Sequence, residues 1–329
     1  MSHDLRKPIR FAVIAAGIVT VVGSGGGFPS FDLDLDGLGP WPFAEIEPAI
    51  RTAQAGTPVS FAVRTASVSQ PSYQWCRTAP GGSSCVPIPG ATGSSYTLAS
   101  PNLADDGTVF RVTVTDPNGS TFALATLYVS PLAPVVARDG DFAEGGWAVT
   151  TEADPATGGL SGAVSTQASG GNPGAFRQVS IALAAVPAKL LIEQLSTTAS
   201  YTPAAQGAIR HVDFDIDCKA LGDSTSNAVI WTMPLIEQDG RRFVAAESRW
   251  STCSSDTWVP VLTRAAIGTD EFQKVSGPDC ATGVACPDFG PGGTTMRLGY
   301  AHFTSASTAA SPGTRSRGVD NWRLTIWRR

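Results

Sequence analysis

The chain has 329 residues, of which 42% are hydrophobic, so it is long enough for about two domains with real cores. The hydrophobic content argues against disorder outside the N-terminal region, and the formal net charge of −5 gives no indication of a nucleic-acid partner. Only 16% of the residues are charged. This low charge, with 35 glycines and 24 prolines, favours an all-β fold of short strands. Residues 181–195 form the only modest helical pattern.

The first residues predict export. Arg6, Lys7 and Arg10 precede an apolar run over residues 11–22, and small residues follow it from Ser24. This order is typical of a secretory signal peptide, which we assign to residues 1–24. The alternative is an uncleaved signal anchor, although the run is short for a membrane helix, which needs about 17–25 residues. The sequence therefore predicts a secreted or cell-surface protein, attached to a membrane only if this segment stays uncleaved.

The exported part contains six cysteines: Cys76, Cys85, Cys218, Cys253, Cys280 and Cys286. An even number of cysteines in an exported chain predicts disulfides. Proximity in the sequence favours Cys76–Cys85 and Cys280–Cys286, which leaves Cys218 to pair with Cys253. A metal site is the weaker alternative because the chain has no Cys-x-x-Cys pair.

A proline- and glycine-rich segment over residues 25–43 is predicted to be a linker. Within it, Asp32, Asp34 and Asp36 alternate with hydrophobic residues. A calcium loop would require a distant glutamate at its last ligand position. None follows here, so we interpret these aspartates as solvated.

Strand patterns extend over residues 44–130. Val59, Phe61 and Val63 alternate with polar residues, and a second alternating run covers residues 110–114 after an Asp-Asp-Gly turn. A period of two is the pattern of a half-buried strand. With the segments AGTPVSFAV, SYQW, IPGATGSSYTL, LADDGTVFRVTVTDPNGS and ALATLYV, this region resembles the immunoglobulin-like repeats of bacterial surface and secreted proteins. The resemblance implies an immunoglobulin-like β-sandwich.

One departure from antibody-type domains concerns the bond between the two sheets. Val63 and Val112 occupy the positions where those domains have their bridging cysteines. Trp75 is therefore expected to pack against two valines, in a core stabilised by the burial of apolar surface alone. A Cys76–Cys85 bond would close a hairpin near the surface.

Residues 131–137 contain two prolines and no charge, and we interpret them as a second linker. The region that follows, residues 138–329, opens with DGDFAEGGW and ends with DNWRLTI. Both ends resemble the jelly-roll domains of carbohydrate-binding modules. GGNPGAF, SYTPAAQGAI and DFGPGG in between resemble laminin- and concanavalin-like sandwiches. The resemblance implies a larger jelly-roll β-sandwich.

In carbohydrate-binding jelly rolls a structural calcium often joins the first strand to the last. The matching oxygen ligands here are Asp139, Asp141 and Glu144 near the start and Asp320 near the end. The alternative is that Asp320 and its neighbour Asn321 only form hydrogen bonds at a turn.

Aromatic residues of this second region are candidates for binding a glycan, because a pyranose ring stacks on an aromatic face. Trp250 and Trp258 flank Cys253 and are expected at the surface, and Tyr300 is a third candidate. Three other tryptophans are expected to fill the core: Trp147, Trp231 and Trp322.

The segment HVDFDIDC over residues 211–218 predicts a strand with Asp213, Asp215 and Asp217 on one face. Jelly-roll glycosidases of the laminarinase type carry alternating carboxylates on one strand, and their retaining chemistry needs carboxyl groups about 5–5.5 Å apart. Those enzymes have glutamates where this chain has aspartates. We therefore favour a solvated strand face, with glycoside hydrolysis as the alternative.

No other catalytic motif is present in the sequence, which lacks a Gly-x-Ser-x-Gly elbow, a His-Glu-x-x-His pair and a phosphate-binding loop. The chain is therefore predicted not to be an enzyme. Together with the resemblances, this predicts an exported bacterial binding or adhesion protein that recognises a glycan or another surface component through residues 138–329. The alternatives are a self-assembling subunit of a surface layer or appendage, and a glycoside hydrolase.

Overall fold

The structure is a computed structural model that describes residues 42–46, 48–66, 70–143, 145–153, 160–183, 188–223, 229–246, 251–253, 255–260, 264–280, 286–306 and 313–329. Several predictions fall outside these residues: the signal segment over residues 1–24, the calcium-loop comparison at Asp32, Asp34 and Asp36, the calcium ligand Glu144, and the ligand-binding Trp250. No helix among the described residues is long and apolar enough to cross a membrane.

The predicted all-β fold is confirmed. The first strands are β1 (Phe43–Ile46), β2 (Ile50–Gln54), β3 (Val59–Ala66), β4 (Ser72–Thr78), β5 (Val86–Pro87), β6 (Ser95–Leu98), β7 (Thr108–Asp116), β8 (Gly119–Ser130), β9 (Val135–Asp139), β10 (Trp147–Ala153) and β11 (Ser161–Gly171). The later strands are β12 (Gly174–Leu183), β13 (Ala188–Tyr201), β14 (Ile209–Asp223), β15 (Ile230–Gln238), β16 (Arg241–Ala245), β17 (Ser251–Thr252), β18 (Val259–Pro260), β19 (Arg264–Ile267), β20 (Phe272–Ser276), β21 (Met296–Ala306) and β22 (Gly313–Arg328). A short helix, α1, spans Pro203–Gln206, and 3-10 turns span Leu103–Asp105 and Thr269–Glu271.

Spatial contacts divide the chain into two compact units. The first comprises the described residues up to Leu127 without residues 50–57 and 101–103, and the second comprises those two segments and Tyr128–Arg329. β9 begins at Val135, inside the segment that the sequence pattern predicts to be the second linker.

The strands β1 to β8 form an immunoglobulin-like sandwich, as the sequence predicts. Sheet 1 has the strand order β1-β3-β6, and sheet 2 has the order β2-β8-β7-β4-β5. These are the strand neighbours of the two immunoglobulin sheets. Trp75 is fully buried and lies opposite Val112 on the neighbouring strand. Its indole nitrogen donates to the Gly93 carbonyl at 2.9 Å, so the large ring is buried without an unpaired donor.

The second unit contains two antiparallel sheets packed face to face. Sheet 3 has the order β11-β12-β22-β14-β18, with β19 also paired to β14 and β9 to β22. Sheet 4 has the order β10-β13-β21-β15-β16-β20, with β17 also paired to β15. Phe214 and Leu324 of sheet 3 belong to the same buried cluster as Ile236 and Tyr300 of sheet 4. The core of this sandwich therefore lies between the two sheets.

The helical pattern over residues 181–195 is wrong as a structural prediction, because its described residues lie in β12 and β13. Leu190 and Ile192 face the sandwich core, whereas Leu191 and Leu195 belong to a separate apolar cluster. A strand that buries both faces has a nearly continuous apolar sequence, which a helical period can imitate.

The three predicted disulfides are present: Cys76–Cys85, Cys218–Cys253 and Cys280–Cys286. Cys76 lies on β4 opposite Pro87 of β5, so its bond closes the hairpin between these strands. Cys218 and Cys253 belong to the core cluster of the second unit.

Candidate functional site

The strongest candidate site is the face of sheet 4 that points away from sheet 3, which we call the outer face of sheet 4. Successive residues of a strand point alternately to the two faces of the sheet. On β15, Ile236 points into the sandwich core, whereas Leu235 belongs to the separate apolar cluster of the outer face. The buried residues of this outer face are Leu195, Met233, Leu235, Val244 and Ala301, and the partly buried ones are Leu191, Trp231, Val275 and Phe303.

An aromatic row crosses one end of this face. Leu191 on β13 lies opposite Phe303 on β21, which lies opposite Trp231 on β15. All three side chains are partly exposed. Directly opposed residues of neighbouring strands have their Cβ atoms about 4.5–5.5 Å apart, so the two rings are close enough to act as one surface.

A charged network crosses the same face. Arg242 donates from Nη1 to Oε2 of Glu193 at 2.5 Å and from Nε to Oε2 of Glu237 at 3.0 Å. Arg297 donates from Nη1 to Oε1 of the same Glu237 at 3.0 Å. Four strands contribute one member each, so the network ties β13, β21, β15 and β16 together.

Glu193 is the most buried member of the network, with 1% of its surface exposed. Its Oε1 atom is buried and has no hydrogen-bond partner among the described residues. Burial raises the pKa of this carboxyl, against the lowering effect of Arg242, while the nearby carboxylates of Glu152 and Glu237 raise it further. The outer face therefore holds a buried carboxyl with a raised pKa beside partly exposed aromatic rings.

The three aspartates of β14 have separate partners. Asp213 accepts from the Ala266 amide at 2.7 Å and from the Trp327 indole at 2.6 Å. Burial raises the pKa of Asp213 to about 6, against the lowering effect of these two hydrogen bonds. Both of its oxygens hold neighbouring segments in place, which assigns this carboxylate a structural role.

The other two aspartates of β14 are also engaged. Asp215 lies 3.5 Å from Nε of Arg323. Asp217 accepts from the side-chain amides of Asn172 at 3.0 Å and Asn321 at 2.7 Å. The predicted polar face of this strand is therefore present, with each carboxylate bound to residues of another segment.

The candidate calcium ligands lie near the ends of the second sandwich. Asp139 accepts from the amides of Asp141 and Phe142 and from the Trp147 indole. Asp320 is fully buried and accepts from the amides of Asn172 and Asn321. Burial raises the pKa of Asp320, as do the nearby carboxylates of Asp217 and Asp141. Within the described part of the chain, no group of three or more His, Cys, Asp or Glu side chains is placed to hold a metal ion.

Two of the ligand-binding candidates selected from the sequence, Tyr300 and Trp258, lie elsewhere than on the outer face of sheet 4. Tyr300 is fully buried and donates to Gln194 at 3.0 Å, which leaves no ring face for an external ligand. Trp258 is partly exposed, but its indole donates to the Gly170 carbonyl at 2.8 Å and its ring meets Phe176 edge-on. Two of the three tryptophans expected in the core are buried there, Trp147 and Trp322.

Sequence reasoning missed the outer face of sheet 4. Trp231 was assigned to the sandwich core, and Phe303, Glu193 and Arg242 were not selected. The available signal was the run IWTMPLI of β15, whose length without a polar alternation indicates a strand buried on both faces.

No protein-family model matches this chain, and no curated protein does. Among solved structures, crystal structures of the N-terminal four Ig domains of Dscam1 isoforms 7.44 and 6.9 are each similar at 22% identity, with a TM-score of 0.23. Isoform 1.9 is similar at 20% identity, with a TM-score of 0.22. Each match covers 27% of this chain and 20% of the Dscam1 chain, so this chain spans about a fifth of their length. Matches this weak add nothing to the fold described above.

Proposed function

We propose that this protein is an exported bacterial binding or adhesion protein whose second sandwich binds a glycan on the outer face of sheet 4. The observation that carries the proposal is the row of Phe303 and Trp231 beside the network of Glu193 and Arg242. The sequence resemblance of this region to the jelly-roll domains of carbohydrate-binding modules points in the same direction.

The chemistry of this face suits a sugar. The apolar side of a pyranose stacks on aromatic rings, while its hydroxyls need both donors and acceptors. Phe303 and Trp231 supply the aromatic surface, and the charged side chains supply both kinds of hydrogen-bonding group. Arg242 and Arg297 are held in place by Glu237, so little side-chain freedom is lost when a ligand binds.

Export to an oxidising compartment is supported by the three disulfides, because such bonds persist outside the cytosol. A secreted or cell-surface location is therefore part of the proposal. A structural Ca²⁺ held by Asp139, Asp141, Glu144 and Asp320 also remains a proposal, which rests on the resemblance stated above and on the carboxylate of Asp141 near Asp320.

The experiment that tests the proposed function is a glycan array probed with the full chain, followed by calorimetric titration of the best glycan. We expect binding of at least one class of glycan, and we expect Trp231→Ala to weaken it at least about tenfold. Absence of binding across the array would remove the proposal. Binding that survives both Trp231→Ala and Phe303→Ala would place the site elsewhere.

A further inference from the structure

A second polar cluster lies in the interior, between sheet 3 and sheet 4, and the proposed glycan site does not use it. We call it the polar seam and define it by Arg177 and Arg317 of sheet 3 and by Gln194 and His302 of sheet 4. Each of these residues is buried. Arg177 lies opposite Val319 and Arg317 lies opposite Val179, so the two arginines occupy diagonal positions on β12 and β22.

Arg177 brings a positive charge into the sandwich without an ionic partner. It donates from Nε to Gln194 Oε1 at 3.0 Å and from Nη1 to Thr166 Oγ1 at 2.9 Å, and both acceptors are neutral. It forms no ion pair with any carboxylate of the described residues. A buried charge is normally paired, because its desolvation cost is otherwise several kcal/mol, on the order of 5 or more.

Gln194 and His302 add hydrogen-bond donors without partners. The Oε1 atom of Gln194 accepts from both Arg177 and Tyr300, which fixes the amide orientation and directs Nε2 elsewhere. That Nε2 atom is buried and has no partner among the described residues. Buried polar groups of this kind indicate an unassigned water or ion.

The imidazole of His302 likewise has one nitrogen with a hydrogen-bond partner and one without. Its Nδ1 lies 3.0 Å from the Thr232 hydroxyl, and its buried Nε2 has no partner within the described chain. Burial lowers the pKa of His302 to about 3, and the charge of Arg317 lowers it further, so the ring is neutral at ordinary pH. In the tautomer whose Nδ1 accepts from the Thr232 hydroxyl, the ring carries its proton on Nε2 and is a donor there.

We propose that the polar seam binds a small monovalent anion, of which chloride is the common example, between the two sheets. Gln194 Nε2 and His302 Nε2 donate to the anion, and the guanidinium group of Arg177 supplies the opposite charge. An anion satisfies the donors and the charge together, whereas a water molecule satisfies only the donors.

The first test uses crystals of the full chain grown in sodium bromide. We expect an anomalous bromide peak in contact with Gln194 Nε2 and His302 Nε2. The second test compares thermal unfolding in sodium bromide and in sodium gluconate at constant ionic strength. Because the anion binds only the folded state, the midpoint should rise by about 3–6 °C per tenfold increase in bromide once the site is occupied.

The variant Gln194→Glu places a carboxylate in the polar seam, so the protein itself supplies the negative charge that the anion would otherwise bring. Its carboxylate can still accept from Arg177 and Tyr300, so we expect the bromide dependence of the midpoint to disappear. The matched control is Gln178→Glu, at a partly exposed position on the same strand as Arg177, which should keep the dependence.

Three results would overturn the proposal: a water molecule without anomalous signal in the seam, equal midpoints in bromide and gluconate, or wild-type bromide dependence in Gln194→Glu. If Gln194→Glu does not fold, the two experiments on the wild-type chain decide the question.

Discussion

Arg242 reaches Glu193 across two intervening strands of sheet 4, with 2.5 Å between Nη1 and Oε2. The residues of β21 and β15 beneath this bridge include Ala301 and Leu235, which are fully buried. The aliphatic stem of an arginine can cover apolar surface while its charged end forms hydrogen bonds. The ion pair therefore connects the strands and covers the apolar centre of the outer face.

Arg242→Met should destabilise the second sandwich by about 3–5 kcal/mol, because it leaves the buried carboxylate of Glu193 without its cation. Urea unfolding of the variant and the wild type measures the difference. Arg241→Met is the matched control, since the carboxylate paired with this neighbouring arginine is the exposed Asp239 at 3.8 Å, and its other hydrogen bonds are to the backbone carbonyls of Pro278 and Asp279. An equal loss of unfolding free energy in the two variants would show that the ion pair with Glu193 contributes no more to stability than the contacts of Arg241.

Trp231→Ala should lower the affinity for the glycan at least about tenfold, because burying a large apolar side chain contributes on the order of 1.5–3 kcal/mol. Isothermal titration calorimetry checks this with the glycan selected by the array. Trp258→Ala is the comparison, since the ring of Trp258 packs against Phe176 in sheet 3. If Trp258→Ala removes binding and Trp231→Ala does not, the site lies where the sequence pattern first suggested.

Asp213 should make stability depend on pH. Its pKa is about 6 in the folded chain and about 3.8 in the unfolded one, so the folded state binds this proton more tightly. The stabilising contribution is therefore complete below about pH 4 and is lost as the pH rises through about 6, by up to about 3 kcal/mol.

Asp213→Asn removes that titration. We expect the difference in unfolding free energy between wild type and variant to shift in favour of the variant between pH 4 and pH 8. The constant cost of placing an amide against two donors does not alter this slope. Parallel stability profiles of the two proteins over that pH range would contradict the assignment.

The disulfides should differ in their contribution to stability. Cys76–Cys85 closes a loop with a sequence separation of 9, and Cys218–Cys253 closes one with a separation of 35. The chain-entropy relation gives about 3 kcal/mol for the first and about 4 kcal/mol for the second. Paired Cys→Ser variants, compared by denaturant unfolding, should show the larger loss at Cys218–Cys253. The opposite order would mean that strain or residual structure outweighs loop entropy here.

Calcium should raise the unfolding midpoint if the proposed structural site exists. We expect CaCl₂ to stabilise the full chain relative to EDTA, and we expect Asp320→Asn to abolish this difference. Asp256→Asn, at an exposed position, is the control that should leave it intact. Identical midpoints in CaCl₂ and EDTA would exclude a stabilising calcium.

Local patterns predicted much of the fold. The alternation around Phe61 and Val112 is sufficient to define half-buried strands, and both side chains are buried as expected. The alternation of β14 is equally local, with Phe214 and Ile216 buried and the aspartates between them only partly so. Short sequence separations also predicted two of the disulfides, because loop closure favours near neighbours.

The candidate site was not predictable in the same way. Tyr300 and Trp231 lie on neighbouring strands of sheet 4, yet one faces the sandwich core and the other faces outward. The segments around these two residues are similarly apolar, and only the pairing of the strands determines which face each residue occupies. Glu193, Arg242 and Glu237 come from three strands, so no local motif connects them.

The sequence by itself determined that this chain forms β-sandwiches with three disulfides, because alternation, composition and cysteine spacing act over a few residues. Only the tertiary structure decided which aromatic rings remain partly exposed and which charged groups meet. Those properties depend on register between strands far apart in the chain, where a shift of one residue exchanges the two faces of a strand. For this reason the aromatic row of the outer face of sheet 4 and the polar seam of the interior became visible only in the folded arrangement.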